Sequence, residues 1–214
     1  MPSFVVRVWL PDRPGALGAV ASRIGAVRGD VIGIDILERG AGRAIDELVV
    51  TLPSDDLIEL MIRELREVDG VDVEDIRPVA LAVPDPRLDA LESAALLVAQ
   101  ATPAALLDVL VAHATRDLEA SWAAVADYTL AEVRASSGDV PSATWLAAFV
   151  AGSLASDASG TDDVAWASFP HAPLALVIGR AGRPFRERER RQLEALARIA
   201  ATRWVELSVP HPTR

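Results

Sequence analysis

Asp12-Arg13-Pro14-Gly15, followed at once by Ala16, Leu17 and Gly18, is the segment of this 214-residue chain whose residue types and order could do chemistry. Pro14 sets φ for entry into a helix, and Gly15 lets backbone lie close to a neighbour or a ligand. The first amides of the helix, from Ala16 to Gly18, lack intrahelical partners and can hold a carboxylate. Asp12 can cap those same amides or accept from an ammonium group. A zwitterionic amino acid offers both complementary charges. The alternative is purely structural, with Asp12 as the N-cap and the turn as a connector.

Other chemistries are poorly provided for. The chain has no cysteine, which removes disulfides, thiolate nucleophiles, iron–sulfur clusters and sulfur-linked bilins. Its three histidines, His113, His171 and His211, are far apart and form no zinc-binding spacing, so no metal site is expected. Every basic residue is arginine, and without lysine the chain cannot form a Schiff base. It contains no G-x-S-x-G elbow, Walker loop or dinucleotide fingerprint, so neither catalytic residues nor a cofactor are expected. The net charge of −10 opposes nucleic-acid binding. The one dense basic stretch, Arg180 to Arg191, is interrupted by Glu187 and Glu189 and reads as a solvated helix face or an inter-domain contact. No apolar run approaches the roughly 20 residues of a membrane-spanning helix, and the N-terminus has no basic, apolar leader. A cytoplasmic protein is expected.

The elements that must position the turn can be read from periodicity. Phe4 to Leu10 alternates as a strand, and Leu17, Val20, Ile24 and Val27 recur at helical spacing up to Gly29-Asp30. Val31 to Leu37 and Ile45 to Leu52 are strands joined by the loop Arg39 to Arg43, with Asp46 and Glu47 on an exposed face or near the turn. Ser54 opens a second helix, and Val71 to Val79 is a fourth strand. The order β-α-β-β-α-β is the ferredoxin-like split arrangement. Pro84-Asp85-Pro86 lies in a linker, 83–86, between a domain over 1–82 and a second over 87–207, with a tail at 208–214.

In the second domain, helices are expected over Arg87–Gln100 and Pro103–Leu118, the latter capped by Thr102. Strands follow at Ser121–Asp127 and Thr129–Ala135, then a loop at Ser136–Asp139 and a helix to Ala155. After a polar loop, Ser156 to Asp163, come strands at Val164–Phe169 and Pro173–Gly179 and a long helix from Phe185 to Val205. Trp122, Tyr128, Trp145, Trp166 and Phe169 could line an apolar pocket with Arg134 or His171, or could simply form an aromatic core.

With its D-x-P-G-x-L turn in this topology, the segment over about residues 3–80 resembles an ACT domain. The resemblance implies an amino-acid sensor whose ligand lies between the turn of one copy and the second strand of another. It assigns one side of the site to Asp12, Arg13, Pro14, Gly15, Ala16, Leu17 and Gly18 and the other to Asp30, Val31 and Ile32. Many relatives have Asn where Asp30 stands, and the extra carboxylate favours an ammonium or hydroxyl group on the ligand. Residues 87–206 resemble a short GAF domain, on the two leading helices, Ala172 to Gly179, Pro184-Phe185 and the long final helix. The implied fold class is α/β (α+β), an ACT domain followed by a GAF-like sensor domain. The implied function is a non-enzymatic, amino-acid-responsive regulator. It would be a homodimer through the ACT sheet or the GAF helices, with a possible protein partner. A constitutive dimerisation scaffold, or a regulatory subunit of a separate biosynthetic enzyme, are the alternatives.

Overall fold

Alternation organises the first unit. Along β1 (Ser3–Pro11), Phe4, Val6, Val8 and Leu10 all enter one apolar cluster. The helix α1 (Ala16–Ala26) adds Ala16, Val20 and Ile24 to it from a single stripe. The strands β2 (Asp30–Gly40) and β3 (Arg43–Thr51) form a hairpin, and Ala44, Leu48 and Val50 of β3 face the same cluster. A short 3₁₀ turn over Asp55–Leu57 leads into α2 (Ile58–Arg66), which buries Met61 and Leu65, and β4 (Asp72–Val79) completes the unit. The sheet order is β2-β3-β1-β4, and every pairing is antiparallel. This is the ferredoxin-like arrangement expected from the order of elements. β1 is central, and β2 and β4 are the edges.

The computed structural model describes residues 1–79, 86–156 and 160–208, and the chain divides into the units Met1–Pro84 and Asp85–Arg214. In the second unit, α3 (Pro86–Val98) and α4 (Pro103–Asp117) precede the hairpin β5 (Trp122–Asp127) and β6 (Glu132–Gly138). Then follow α5 (Ala143–Ser156), the short β7 (Gly160–Thr161), β8 (Val164–Ser168), β9 (Leu174–Gly179) and α6 (Glu187–Ser208). The antiparallel sheet runs β6-β5-β9-β8-β7. One face, with Ala123, Val125, Leu176 and Ile178, packs on apolar residues of α4 and α6. The other, with Ala124, Ala126, Ala175 and Val177, packs on Leu146 and Val150 of α5.

Several boundaries differ from expectation for physical reasons. The Asp127 carboxylate accepts from the amides of Thr129 (3.2 Å) and Leu130 (3.1 Å), so the chain is still turning where a strand is expected. Strand β6 starts only at Glu132 and takes in Ser136, Ser137 and Gly138, whose polar, turn-like composition reads as a loop. Gly138 sits at φ 77°, and a Cβ there would lie 2.3 Å from the Ser121 carbonyl. Within the expected polar loop, Gly160 and Thr161 pair with Ala165 and Val164. Pro86 is the first residue of α3 and Ser208 the last of α6; the remainder of the expected linker, 83–85, and of the tail, 209–214, lie outside the described residues. Thr102 caps α4 as expected, accepting from the Ala105 amide at 3.2 Å.

The basic stretch is largely spent inside the second unit. Arg180 is 4% exposed and donates to the carbonyls of Leu118 (2.7 Å), Arg183 (2.8 Å) and Pro184 (3.0 Å) and to Glu189 (2.7 Å). Its guanidinium lies 4.0 Å from the centre of the Phe185 ring. Arg190 donates to the Phe185, Val164 and Thr161 carbonyls. These arginines tie α6 and the loop before it to the end of α4 and to β7 and β8 of the same unit rather than forming a continuous solvated face. Removing one partner of a buried ion pair costs about 3–5 kcal/mol, so Arg180→Ala is expected to lower the unfolding free energy of the second unit by that amount, measured by urea unfolding. A loss under about 1 kcal/mol would place the guanidinium in the surface class.

Candidate functional site

The β1–α1 turn is held by backbone. The Asp12 amide donates to the Gly42 carbonyl at 2.9 Å, Arg13 to Pro11 at 2.8 Å, Ala16 to Arg13 at 3.3 Å and Ala19 to Gly15 at 2.9 Å. No backbone acceptor among the described residues takes the amides of Leu17 and Gly18. Two expectations change here. The Ala16 amide is already engaged, and α1 has Gly15 as its N-cap with no side-chain cap, so Asp12 does not fill the purely structural role. Gly15 is required by its φ of 88° and not by crowding, since a Cβ there would meet nothing within 4 Å. The turn is also braced from below: Gly70, at φ 75°, leaves room for Pro11, whose Cγ would lie 2.8 Å from a Cβ at that position. Arg13 is exposed and pairs with Asp69 at 3.7 Å.

The two sides of the expected site are apart within one chain. Asp30 is in register with Thr51, and Thr51 with Ser3, whereas the turn begins after Pro11 in register with Arg43 and Gly40. At ~3.4 Å per residue this separates them by ~27 Å along the sheet. Asp30 is exposed, Val31 packs against the core and Ile32 is 38% exposed at an irregularity in β2. The residues near the turn are instead Ile36, Arg39 and Asp46, at the same end of β2 and β3.

Asp46 and Glu47 overturn the expectation of an exposed pair. On the sheet face opposite the helices, Glu47 accepts from Arg7 (2.8 Å) and from Arg77 (3.0 Å). Arg7 is 1% exposed and lies 3.8 Å from Glu74, which also accepts from the Trp9 indole at 2.6 Å. Burial pushes the Glu47 carboxyl up, but the Arg7 and Arg77 guanidiniums outweigh it and hold the group below its ordinary value. Asp46, one residue earlier, is on the helix-covered face between Val8 and Ile36. It is 3% exposed, and its Oδ1 has no hydrogen-bond partner among the described residues. Burial raises its pKa, opposed by Arg39 and reinforced by Asp12. Alternation alone could have separated these neighbours onto two faces; adjacent acids beside a loop gave no reason to bury either.

The second unit does not bring the five expected aromatics together. Phe169 belongs to the cluster under α4 and α6, while Trp122, Tyr128 and Trp166 border the α5 side. Trp145 is 43% exposed and stacks on Phe149 at 5.2 Å, with Trp122 edge-on at 6.5 Å. Arg134 is committed to Asp127 at 3.0 Å, and His171 occupies a loop at φ 67°. A cluster absent from the sequence reading joins Ser93 of α3 to His113 and Asp117 of α4. Ser93 Oγ lies 2.7 Å from His113 Nδ1 and donates to Asp117. Here the hydroxyl, fully buried, touches the carboxylate directly, so the imidazole does not relay between them as a hydrolytic triad requires. The cluster is an interhelical clamp. No group of His, Asp and Glu among the described residues could hold a metal ion, and no described helix is long and apolar enough to cross a membrane.

No family model matches the chain, and no curated protein does. Similar solved structures include an unknown protein from Galdieria sulphuraria (18% identity, 47% of this chain and 64% of that one, TM-score 0.33). Another is the ACT domain of GTP pyrophosphokinase from Chlorobium tepidum (16% identity, 37% of this chain and 100% of that one, TM-score 0.30). A third is the regulatory subunit of aspartate kinase from Thermus thermophilus (18% identity, 44% of this chain and 68% of that one, TM-score 0.31). ACT domains are thus among the similar structures, and no GAF-like structure was found with them. The ferredoxin-like assignment rests on the unit's own strand order.

Asp46 and Glu47 titrate in opposite directions. A raised carboxyl binds more protons folded than unfolded, so Asp46 favours folding at low pH and loses that contribution as pH rises through its folded pKa. Glu47 contributes above its unfolded pKa and loses it as pH falls. Asp46→Asn is therefore expected to raise the melting temperature at pH 7, with the gain shrinking toward pH 4. Glu47→Gln is expected to lower it at pH 7, with the loss shrinking in acid. Melting curves across pH 4–8 check both signs.

Proposed function

We propose that the first unit is an amino-acid-binding regulatory module and that the protein acts without catalysing a reaction, by changing contacts with itself or with a protein partner. The observation that carries this reading is the start of α1, where the Leu17 and Gly18 amides are unpaired beside an exposed Asp12 with no cap to fill the space. Unpaired helix amides favour a carboxylate, and a negative charge at this end of the sheet, to which Asp12 contributes, favours an ammonium group. An amino acid carries both.

The other side, Asp30 to Ile32, comes from a second copy. Strand β2 is an edge, and Ile32, Ile34 and Ile36 along it are 38%, 47% and 40% exposed. Antiparallel pairing of β2 with β2 about a two-fold axis sets the start of one strand beside the end of the other. That brings Asp30–Ile32 of the second copy to the end of the sheet where Asp12–Gly18 lies, which one chain alone cannot do. The same row of isoleucines supports a homodimer whether or not a ligand is bound. For the second unit we retain a GAF-like sensor or dimerisation role. Its support is an antiparallel sheet covered by helices on both faces.

A thermal-shift screen of the twenty amino acids at millimolar concentration tests the reading. A ligand at 100 times its dissociation constant adds about 2.7 kcal/mol, a shift of several degrees for a domain of this size. Gly18→Val, at a position where a Cβ meets nothing within 4 Å, is expected to fold normally and to abolish the shift by covering the free amides. No shift with any amino acid, or an undiminished shift in Gly18→Val, would remove the turn from the site.

A further inference from the structure

The first unit buries a carboxylate that its own fold does not use. Asp46 stands on the helix-covered face of β3, in register with Val8 on one side and Ile36 on the other. Directly opposed residues of antiparallel strands project to the same face, so Asp46, Val8 and Ile36 are side by side. Val8 and the neighbouring core residues are apolar and offer no hydrogen. An aspartate removed from water with an oxygen left unpaired carries a cost that a leucine would not, and when ionised a larger one than a neutral asparagine would.

The fold could have avoided this cost, and the position of the residue indicates what offsets it. Asp46 follows closely on Arg43 and Ala44, which pair with Pro11 and Leu10 just before the β1–α1 turn and with Gly40 and Arg39 of β2, and the Asp12 and Arg39 charges act on it. These are the charged groups that act on it from the turn and from β2; the first turn of α1, Ala16 to Ala19, brings unpaired amides and no charge of its own. Its cross-strand neighbour Ile36, on the edge strand, is 40% exposed, so the apolar surface beside the carboxylate extends to solvent. One end of the unit thus combines donors without acceptors, at Leu17 and Gly18, with an acceptor without a donor, at Asp46, and an apolar wall, at Ile36.

We infer that Asp46 is the buried anchor for the ammonium group of the ligand, and that the ligand class is an α-amino acid with an apolar side chain. The inference deepens the amino-acid reading of the turn and rests on it. The ligand's carboxylate meets the Leu17 and Gly18 amides, its ammonium donates to Asp46, and its side chain lies along Ile36. A 2-oxo acid of the same skeleton keeps the carboxylate and the apolar part but has no hydrogen to give Asp46. It binds more weakly by about 10- to 100-fold, the range for a hydrogen bond to a charged group.

The test uses the full-length protein, with valine, leucine, isoleucine and methionine as probes and their 2-oxo acids as controls, in wild type and in Asp46→Asn. The expected result is a thermal shift of wild type by at least one of the four amino acids and a much smaller one by its 2-oxo acid. Asp46→Asn melts at least as high as wild type without ligand, yet loses the response. A residue that only holds the fold together would lower the unliganded melting temperature when replaced. Equal responses of wild type and Asp46→Asn would overturn the anchor and leave the amino-acid site at the turn standing. Should Asp46→Asn not fold, the wild-type comparison decides: an equal response to amino acid and 2-oxo acid overturns the anchor. A response only to polar or charged amino acids overturns the ligand class, and no response to any of the twenty overturns the site as well.

Discussion

A guanidinium taken out of water must have its carboxylates in place, and Arg7 imposes that condition on the whole first unit. Arg7 is on the central strand, 1% exposed, with Glu47 opposite on β3 and Glu74 within 3.8 Å. Desolvating a charge costs several kcal/mol unless geometry and partners restore it. A slip of one residue between β1 and β3 would turn Arg7 into the apolar cluster and Val6 or Val8 out of it, so the pair holds the register. Once Arg7 and Glu47 share one face, the next residue along β3 has no choice. Asp46 must face the helices. The unpartnered carboxylate is the other side of the same constraint that pairs its neighbour.

The second unit handles buried charge by a different route. Arg180 finds one carboxylate and three carbonyls, which accept from its several donors in fixed directions. Those carbonyls belong to Leu118 at the end of α4 and to the loop before α6, so a single side chain joins the ends of two helices. Glu189, which it contacts, also accepts from the Arg186 amide at 2.8 Å and so helps close the start of α6. Asp127 does the equivalent in the β5–β6 turn with two amides, one hydroxyl and Arg134. Both groups are fully occupied by their own surroundings. Asp46 stands apart from them because nothing among the described residues occupies it in this way.

The proposed division of the site between two copies rests on the same sheet. The ferredoxin-like order leaves β2 on an edge, with its start and its end ~27 Å apart. An edge strand is a template for a further strand, and a two-fold axis is the symmetry that exchanges start and end. Ligand binding at such a seam would be coupled to dimer contacts by position alone, since both subunits contribute to each site.

How much of this could be read from residue order depends on the range of the interactions. The alternation of Phe4 to Leu10, the helical spacing of Val20 and Ile24 and the Thr102-Pro103 helix start are local, and each predicted its element. Gly15 read as a residue of close approach, whereas what requires it is a φ of 88° with open space around it, which the folded turn imposes. The β6 boundary was not legible, because Ser136-Ser137-Gly138 has the composition of a loop and becomes a strand only through pairing with Trp122 to Ala124. The basic stretch looked solvated because its carbonyl partners, Leu118 among them, are distant in sequence. Asp46 and Glu47 are the clearest case. Two adjacent acids have the same local preferences, and their opposite fates follow from Arg7, some forty residues away on the neighbouring strand. Local stereochemistry is written into short stretches of chain, whereas the surroundings of a charge exist only once distant strands have paired.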